Sequence, residues 1–139
     1  MSETNKAVIR SFVSAVNAHN WDNLRILLVP HFIRRSNAGG TPEVRSAEEL
    51  ITYLKNEYVT FPDAEETLLD LVAEGDSVAA RSRFRGTQMG SIGSYPPTGK
   101  VLSATCLAIY RLEKGRIAEA WAEWDNLYGL QQLGHHNST

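Results

Sequence analysis

The chain has 139 residues with a hydrophobic fraction of 42%, which is enough for one compact domain with its own core. Its formal net charge of −2 argues against nucleic acids and anionic membrane surfaces as partners. No apolar run approaches the ~20 residues that span a membrane, and the polar N-terminus lacks the apolar core of a signal peptide. Cys106 is the only cysteine, which excludes an internal disulfide, so we expect a cytoplasmic protein.

Three amphipathic helices are predicted in the N-terminal part of the chain. Residues 3–19 repeat apolar side chains at three- and four-residue steps, which is typical of a helix with one buried face. A second, short helix starts at Trp21 and is ended by Pro30. A third helix opens at a capping box, Ser46 to Glu49, and runs to about Tyr58.

The rest of the chain predicts long strands joined by tight turns. Gly75 and Gly115 are expected to be turn glycines between adjacent antiparallel strands, because each follows charged residues at the end of an apolar run. The predicted strands are 65–73, 77–88, 99–112 and a last strand that begins at 115 and carries Asp125 near its end.

Helices followed by hairpin-connected strands predict an α+β fold, in which three N-terminal helices pack on a strongly curved antiparallel sheet. A curved sheet wrapped against a long helix forms a cone with an interior. Ligand pockets of this kind are mostly apolar and carry a few polar groups. We expect a single domain over residues 1–134, followed by a C-terminal tail over residues 135–139.

The last strand, GRIAEAWAEWDNL at residues 115–127, carries an unusual number of acids. Because side chains alternate between the two faces of a strand, one face holds three carboxylates and an indole. Such a face is either solvated or lines a polar cavity, since unpaired carboxylates are expensive to bury. The cavity explanation places Glu119, Trp121 and Asp125 inside the cone. The two predicted faces are Ile117, Glu119, Trp121, Glu123 and Asp125, and Ala118, Ala120, Ala122, Trp124 and Asn126.

Four stretches carry a likeness to known proteins: VNAHNWDNL (16–24), LVAEGDSVAARSRFRGTQMG (71–90), YPPTGK (95–100) and GRIAEAWAEWDNLYGLQQLG (115–134). In these stretches the chain resembles the SnoaL-like polyketide cyclase family, within the nuclear transport factor 2-like superfamily of cone-shaped α+β folds. The resemblance implies an intramolecular aldol condensation of a hydrophobic small molecule, without a metal or an organic cofactor. It also implies that Asp125 is the acid–base catalyst.

The residues themselves are consistent with this role for Asp125. An aspartate side chain has an ordinary pKa of ~3.9 and is a weak base in water. An indole such as Trp121 on the same face, together with a neighbouring acid such as Glu123, would raise that pKa and make the carboxylate a better base.

Two motifs depart from the family pattern. Family members often carry histidine where this chain has Arg35 and Gln88, in Arg34-Arg35-Ser36 and Gly86-Thr87-Gln88. Arginine and glutamine do not exchange protons near neutral pH. We expect Arg35 to bind an anionic or enolate oxygen of the substrate instead. The predicted substrate-binding residues are Trp121, Arg35, Gln88, Glu119 and Tyr53.

A homodimer is expected through the outer face of the sheet. Ala118, Ala120, Ala122 and Trp124 would give that face a flat apolar surface, which suits a two-fold contact. Three functions are open at this point: a cyclase or isomerase that uses Asp125, a binding protein with the same pocket but no catalysis, and a dimeric assembly module. No metal-ligand spacing or phosphate-binding motif stands out in the sequence.

Overall fold

The computed structural model describes residues 2–38 and 43–136. Residues 39–42, in the predicted loop before the third helix, and 137–139, in the predicted tail, lie outside this description. Within it, helices precede a run of long strands, which confirms the α+β class, and no helix is both long and apolar enough to cross a membrane. The elements are α1 (Ser2–Asn17), α2 (Trp21–Leu27), β1 (Leu28–Arg35), α3 (Ala47–Thr60), β2 (Glu65–Glu74), β3 (Ser77–Thr87), β4 (Val101–Glu113), β5 (Arg116–Trp124) and α4 (Asn126–Gln132).

Capping side chains explain where the early helices begin. The Oγ of Ser46 accepts the backbone N–H of Glu49 at the start of α3, as the capping box predicts. Asn20 caps α2 through its side-chain oxygen in the same way. α2 passes directly into β1 at Leu28, so Pro30 lies within a strand. A proline is tolerated there because β1 is at the edge of the sheet.

The five strands form one sheet in the order β1-β5-β4-β3-β2. The three hairpin-connected pairs are antiparallel, whereas β1 pairs with β5 in parallel. The prediction of a strongly curved, purely antiparallel sheet is therefore wrong, because the sheet is mixed and open, with β1 and β2 as its edges. Gly75 (φ 56°) and Gly115 (φ 79°) take left-handed conformations in the β2–β3 and β4–β5 turns, which confirms both turn predictions.

A β-bulge near the start of β5 decides which of its side chains face the helices. Leu112 of β4 pairs with Ile117, whereas the adjacent Arg111 pairs with Glu119, so Ala118 is an additional residue in β5. Ile117 and Ala118 are consequently both buried, at 0% and 3% exposure. The bulge shifts the alternation of side chains by one residue for the rest of the strand.

The predicted faces of this strand are therefore wrong beyond the bulge. Ala120, Ala122 and Trp124 lie on the inner face, so they do not form the predicted dimer surface. Glu119 and Trp121 lie on the outer face, where Trp121 is 39% exposed. The acidic face of the strand is thus the outer face, which avoids the cost of burying unpaired carboxylates.

The helices cover the inner face of the sheet. α1 packs on β2 and β3, and α3 packs against β1. Phe12 of α1 contacts Tyr110 of β4, with ring centroids 5.6 Å apart. Fully burying one such side chain stabilises the fold by about 1.5–3 kcal/mol. The most deeply buried members of this core include Ile9, Leu24, Leu28, Phe32, Val78 and Ile117.

The last residue of α1 fixes the start of β2. Asn17 donates from Nδ2 to the carbonyl oxygen of Glu66 at 2.8 Å, and its Oδ1 accepts the Glu66 N–H at 2.9 Å. Nearby, the hydroxyl of Tyr58 donates to the carbonyl oxygen of Val16 at 3.0 Å. These bonds tie α1, α3 and β2 together and hold the backbone of Glu66 in place.

We predict that Asn17→Ala destabilises the protein by about 1–3 kcal/mol, because two partly buried backbone groups of Glu66 lose their partners. The free energy of unfolding, measured by urea denaturation, tests this. Asn23→Ala is the control, since Asn23 is an exposed residue of α2. A loss below about 0.5 kcal/mol, which is typical of a surface substitution, would contradict the role of Asn17.

Candidate functional site

A cavity of about 450 Å³ lies between the inner face of the sheet and the helices. Small side chains leave this space, because Ala104 and Ala108 of β4 and Ala120 and Ala122 of β5 all line it. Larger residues at these positions would fill it, since protein interiors are otherwise close-packed. Most of the wall is apolar. The polar side chains in this wall include Arg34, Tyr53, Glu57, Glu66, Ser82 and Asp125.

Arg34 is held in the cavity by aromatic rings. Its guanidinium carbon lies 4.9 Å from the ring centroid of Tyr53 and 5.7 Å from that of Trp124. Such contacts hold a planar guanidinium group in place, and Tyr53 also takes a side-chain hydrogen bond from it. Among the described residues, none forms a hydrogen bond with the buried Nη1 atom of Arg34. A buried donor without an acceptor is costly, which makes this N–H a candidate contact for a bound molecule.

Two glutamates with raised pKa values share the cavity with Arg34. Glu57 follows Tyr53 by one turn of α3, and its pKa is raised from 4.5 to about 7. Burial is the main cause, the negative charge of Glu66 adds to it, and the positive charge of Arg34 opposes it. Burial also raises the pKa of Glu66, against a hydrogen bond with Ser82 and the charge of Arg34. Glu57 is therefore able to exchange a proton near neutral pH.

Cys106 lines the cavity from β4. Burial, with a smaller contribution from the charge of Glu66, raises the pKa of its thiol to about 11. The thiolate is the nucleophilic form of cysteine, and a pKa this high leaves almost none of it at neutral pH. The arrangement therefore favours a packing role for Cys106 over a nucleophilic one.

Asp125 lies at the exposed edge of the cavity, directly after β5. Its Oδ1 accepts the backbone N–H of Tyr128 at 3.0 Å and so caps α4. The preceding Trp124 donates its indole N–H to Oδ1 of Asn126 at 3.4 Å. Asp125 thus combines a place in the cavity wall with a structural role, and the indole beside it in the wall is Trp124 rather than the predicted Trp121.

The structure brings Arg35, Glu119 and Trp121 together, but on the outer face of the sheet. Arg35 forms an ion pair with Glu119, and its guanidinium carbon lies 5.9 Å from the ring centroid of Trp121. Arg35 and Trp121 border a shallow depression of about 250 Å³ that is separate from the cavity. The prediction that Glu119 and Trp121 lie inside the fold is wrong, because the bulge turns β5. Arg35 lies outside as well, because β1 directs Arg34 inward instead.

Gln88 is completely buried at the base of the loop between β3 and β4. Its Nε2 donates to the carbonyl oxygens of Gly90 and Pro96 at 3.0 and 3.1 Å, and its Oε1 lies 2.8 Å from Nε2 of His135. Both ends of the amide are used to fix the loop and the start of the predicted tail, so Gln88 has a structural place rather than the predicted place in a substrate site. Tyr53 is the predicted substrate-binding residue that does line the cavity.

Residues 6–133, which span every element from α1 to α4, match the SnoaL-like polyketide cyclase family. This chain belongs to that family. The match confirms the resemblance seen in the four sequence stretches. No curated protein matches the chain.

Solved structures with the same fold support this assignment. IdmH of Streptomyces antibioticus, a candidate polyketide cyclase, is 31% identical over 94% of this chain and 98% of its own, with a TM-score of 0.83. TsrD of Streptomyces laurentii is 31% identical over 98% of each chain, with a TM-score of 0.82. An NTF2-like protein of unknown function from Burkholderia pseudomallei is 12% identical over 94% of this chain and 98% of its own, with a TM-score of 0.80. The fold is therefore NTF2-like.

Sequence reasoning missed the polar centre of this SnoaL-like protein. Glu57 follows Leu54 by three residues, so it falls on the apolar stripe of α3. Glu66 similarly shares its strand face with Leu68. A carboxylate on an apolar face indicates a cavity or a paired charge, since acids rarely face a dry core. Arg34 has no such signal, because two consecutive arginines do not reveal which one turns inward.

We predict that Glu57→Gln reduces the pH dependence of stability. The pKa of Glu57 in the folded state is about 7 against an ordinary 4.5, so the folded protein binds this proton more tightly than the unfolded chain does. The resulting stabilisation is present below about pH 4.5 and is lost as the pH rises through about 7. Glu57→Gln should therefore be more stable than the wild type at pH 8, by up to about 3 kcal/mol, and similar at pH 5.

Urea unfolding at a series of pH values measures this effect. Glu74→Gln is the matched control, because Glu74 is an exposed glutamate at the end of β2, and it should leave the pH dependence unchanged. Identical pH dependence in Glu57→Gln and the wild type would contradict the raised pKa.

Proposed function

We propose that this protein binds a hydrophobic, carbonyl-containing small molecule in its cavity and catalyses an acid–base cyclisation or isomerisation with Asp125. The observation that carries the proposal is the cavity of about 450 Å³, mostly apolar, with a carboxylate at its exposed edge. Membership of the SnoaL-like polyketide cyclase family supports a substrate of the polyketide class. The proposed reaction needs only protein side chains and neither a metal nor an organic cofactor.

In the proposed reaction, the carboxylate of Asp125 removes a proton from a carbon next to a carbonyl group. The electron pair delocalises onto the carbonyl oxygen as an enolate. The enolate carbon then attacks a second carbonyl carbon of the same molecule, a carbon–carbon bond forms, and the second oxygen takes the proton back from Asp125. The cavity favours this step by holding both carbonyl groups of one substrate molecule close together.

Ligand binding without catalysis is the second candidate function. The observation that favours it is the capping bond of Asp125, which occupies one carboxylate oxygen while the residue stays exposed. This capping bond gives Asp125 a structural role that needs no chemistry. Both candidates use the same cavity, so the presence or absence of proton transfer distinguishes them.

We predict that Asp125→Asn abolishes proton transfer and keeps the fold. Asparagine caps helices about as well as aspartate, so the bond to the N–H of Tyr128 is preserved, whereas an amide is not a useful base. The measurement is the exchange of the α-protons of 2-tetralone for deuterium, catalysed by the protein and followed by NMR. The catalysed rate should fall by about a hundredfold or more.

Asp22→Asn is the matched control, because Asp22 is an exposed aspartate in the first turn of α2, and it should exchange at the wild-type rate. Asp125→Ala also removes the cap and should cost about 1 kcal/mol of stability. Full exchange by a folded Asp125→Asn protein, or no catalysed exchange by the wild type, would sink the catalytic assignment and favour the binding function.

We also propose that two copies of the chain associate through the outer face of the sheet. Leu107, Ile109 and Trp121 form an exposed apolar patch there, at 61%, 48% and 39% exposure. Ile109 and Trp121 are paired neighbours across β4 and β5. Arg81 and Glu123 flank Leu107 on either side, so a two-fold arrangement allows unlike charges of the two copies to meet. This surface replaces the alanine-rich one predicted from the sequence.

We predict that Ile109→Glu shifts the protein from dimer to monomer, because it would bury an unpaired carboxylate in the interface. Sedimentation at micromolar concentration measures the oligomeric state. Ile26→Glu is the control, since Ile26 is 68% exposed on α2 and lies outside the proposed patch, and this variant should remain dimeric. A monomeric wild type, or an unchanged dimer in Ile109→Glu, would contradict this interface.

A further inference from the structure

We propose that Arg34 binds an oxygen atom of the ligand inside the cavity, as the donor to a ketone oxygen that becomes an enolate oxygen during reaction. Arg34 would thus contact the reacting part of the ligand at its oxygen atom, in addition to the contact proposed for the carboxylate of Asp125. The inference rests on the proposed function in taking the cavity as the ligand site and, for the enolate, in the proposed proton removal.

The geometry of Arg34 favours an external acceptor. The rings of Tyr53 and Trp124 lie against its guanidinium group, at 4.9 and 5.7 Å from its central carbon to the ring centroids. Tyr53 also takes a side-chain hydrogen bond from Arg34, so the contacts hold the group in place while using only part of its N–H donors. Within the described part of the chain, the buried Nη1 finds no acceptor. A ligand oxygen in the cavity would supply the missing acceptor.

The backbone around Arg34 is fixed, so the side chain is presented in one direction. Arg34 donates its N–H to the carbonyl oxygen of Val44 at 2.9 Å and accepts the Val44 N–H at 3.1 Å. On its other side, Arg34 is in register with Ala120 of β5. The bridge to Val44 and the pairing with β5 fix the backbone at this residue, and the alternation of side chains sends Arg34 into the cavity and Arg35 to the outer face.

The charges around Arg34 favour a neutral ligand group over an anionic one. Glu57 and Glu66 line the same cavity and already provide negative charge next to Arg34, the one arginine among the described residues of the cavity wall. A carboxylate ligand would be repelled by these acids, whereas a ketone binds without adding charge. When a proton leaves the ketone, charge develops on the oxygen that Arg34 contacts, and a fixed cation in a water-poor site stabilises that charge.

Trp124 connects this contact to the proposed base. Its ring packs on Arg34, and Asp125 is the next residue in the chain. The base and the oxygen-binding group therefore lie in one neighbourhood of the cavity, as the removal of a proton next to a carbonyl group requires.

The test compares two probes of almost the same shape, 2-acetylnaphthalene and 2-isopropenylnaphthalene, which differ by a ketone oxygen in place of a methylene group. Equilibrium dialysis gives the Kd of each probe for the wild type, Arg34→Met and Arg35→Met. The ratio of the ketone Kd to the alkene Kd should rise about tenfold or more in Arg34→Met, because a hydrogen bond from a charged donor is lost. The ratio should stay within about twofold of the wild type in Arg35→Met, the neighbouring arginine on the outer face.

The alkene reports on the cavity itself, so its binding to Arg34→Met shows that this variant is folded. Arg34→Lys is the second variant; it keeps the charge, lacks the planar fork, and should raise the ratio less than Arg34→Met does. An unchanged ratio in both Arg34 variants would overturn the proposed role of Arg34 and would not affect the proposed role of Asp125. If neither probe binds the wild type, the cavity is not a ligand site, and this result contradicts both the proposed function and the proposed role of Arg34. An exchange-deficient Asp125→Asn protein with the wild-type ratio would support two separate contacts.

Discussion

The additional residue in β5 is the constraint on which the site depends. Without the bulge at Ala118, the alternation that starts at Ile117 would send Glu119 and Trp121 inward. Large and charged side chains would then occupy the space that Ala120 and its neighbours leave open. With the bulge, the alanines create the cavity and the acids reach water. The same irregularity places Trp121 in the apolar outer patch, so it sets both the cavity and the proposed dimer surface.

The cavity has an electrostatic constraint of its own. Glu57 and Glu66 lie in a mostly apolar space, where charged carboxylates are costly, and the charge of Arg34 lowers the pKa of both acids against the effect of burial. Aromatic rings hold Arg34, so it compensates charge without giving up every donor. The outcome is a polar centre in which Glu57 titrates near neutral pH and Arg34 keeps a buried N–H group that a ligand oxygen could accept.

Two regions of the cavity have different solvent environments, and the proposed chemistry uses both. Asp125, the proposed base, lies at the exposed edge of the cavity, in contact with water. Arg34 lies further inside, where a developing negative charge interacts more strongly with a cation because the effective dielectric constant is lower. Trp124 connects the two regions, because its ring packs on Arg34 and because Asp125 is the next residue in the chain. This arrangement of the proposed base and the proposed charge stabiliser is how the fold would support enolate chemistry.

The sequence by itself determined the α+β class, the capped start of α3, the turns at Gly75 and Gly115 and the family, because caps, turns and apolar periods depend on neighbours along the chain. It also pointed to Tyr53, which does line the cavity. Only the tertiary structure decided which faces of β1 and β5 turn inward, because a bulge arises from pairing with another strand and reverses every side chain beyond it. The raised pKa of Glu57 was decided there too, since burial, its main cause, and the charges of Glu66 and Arg34 depend on how distant parts of the chain pack together.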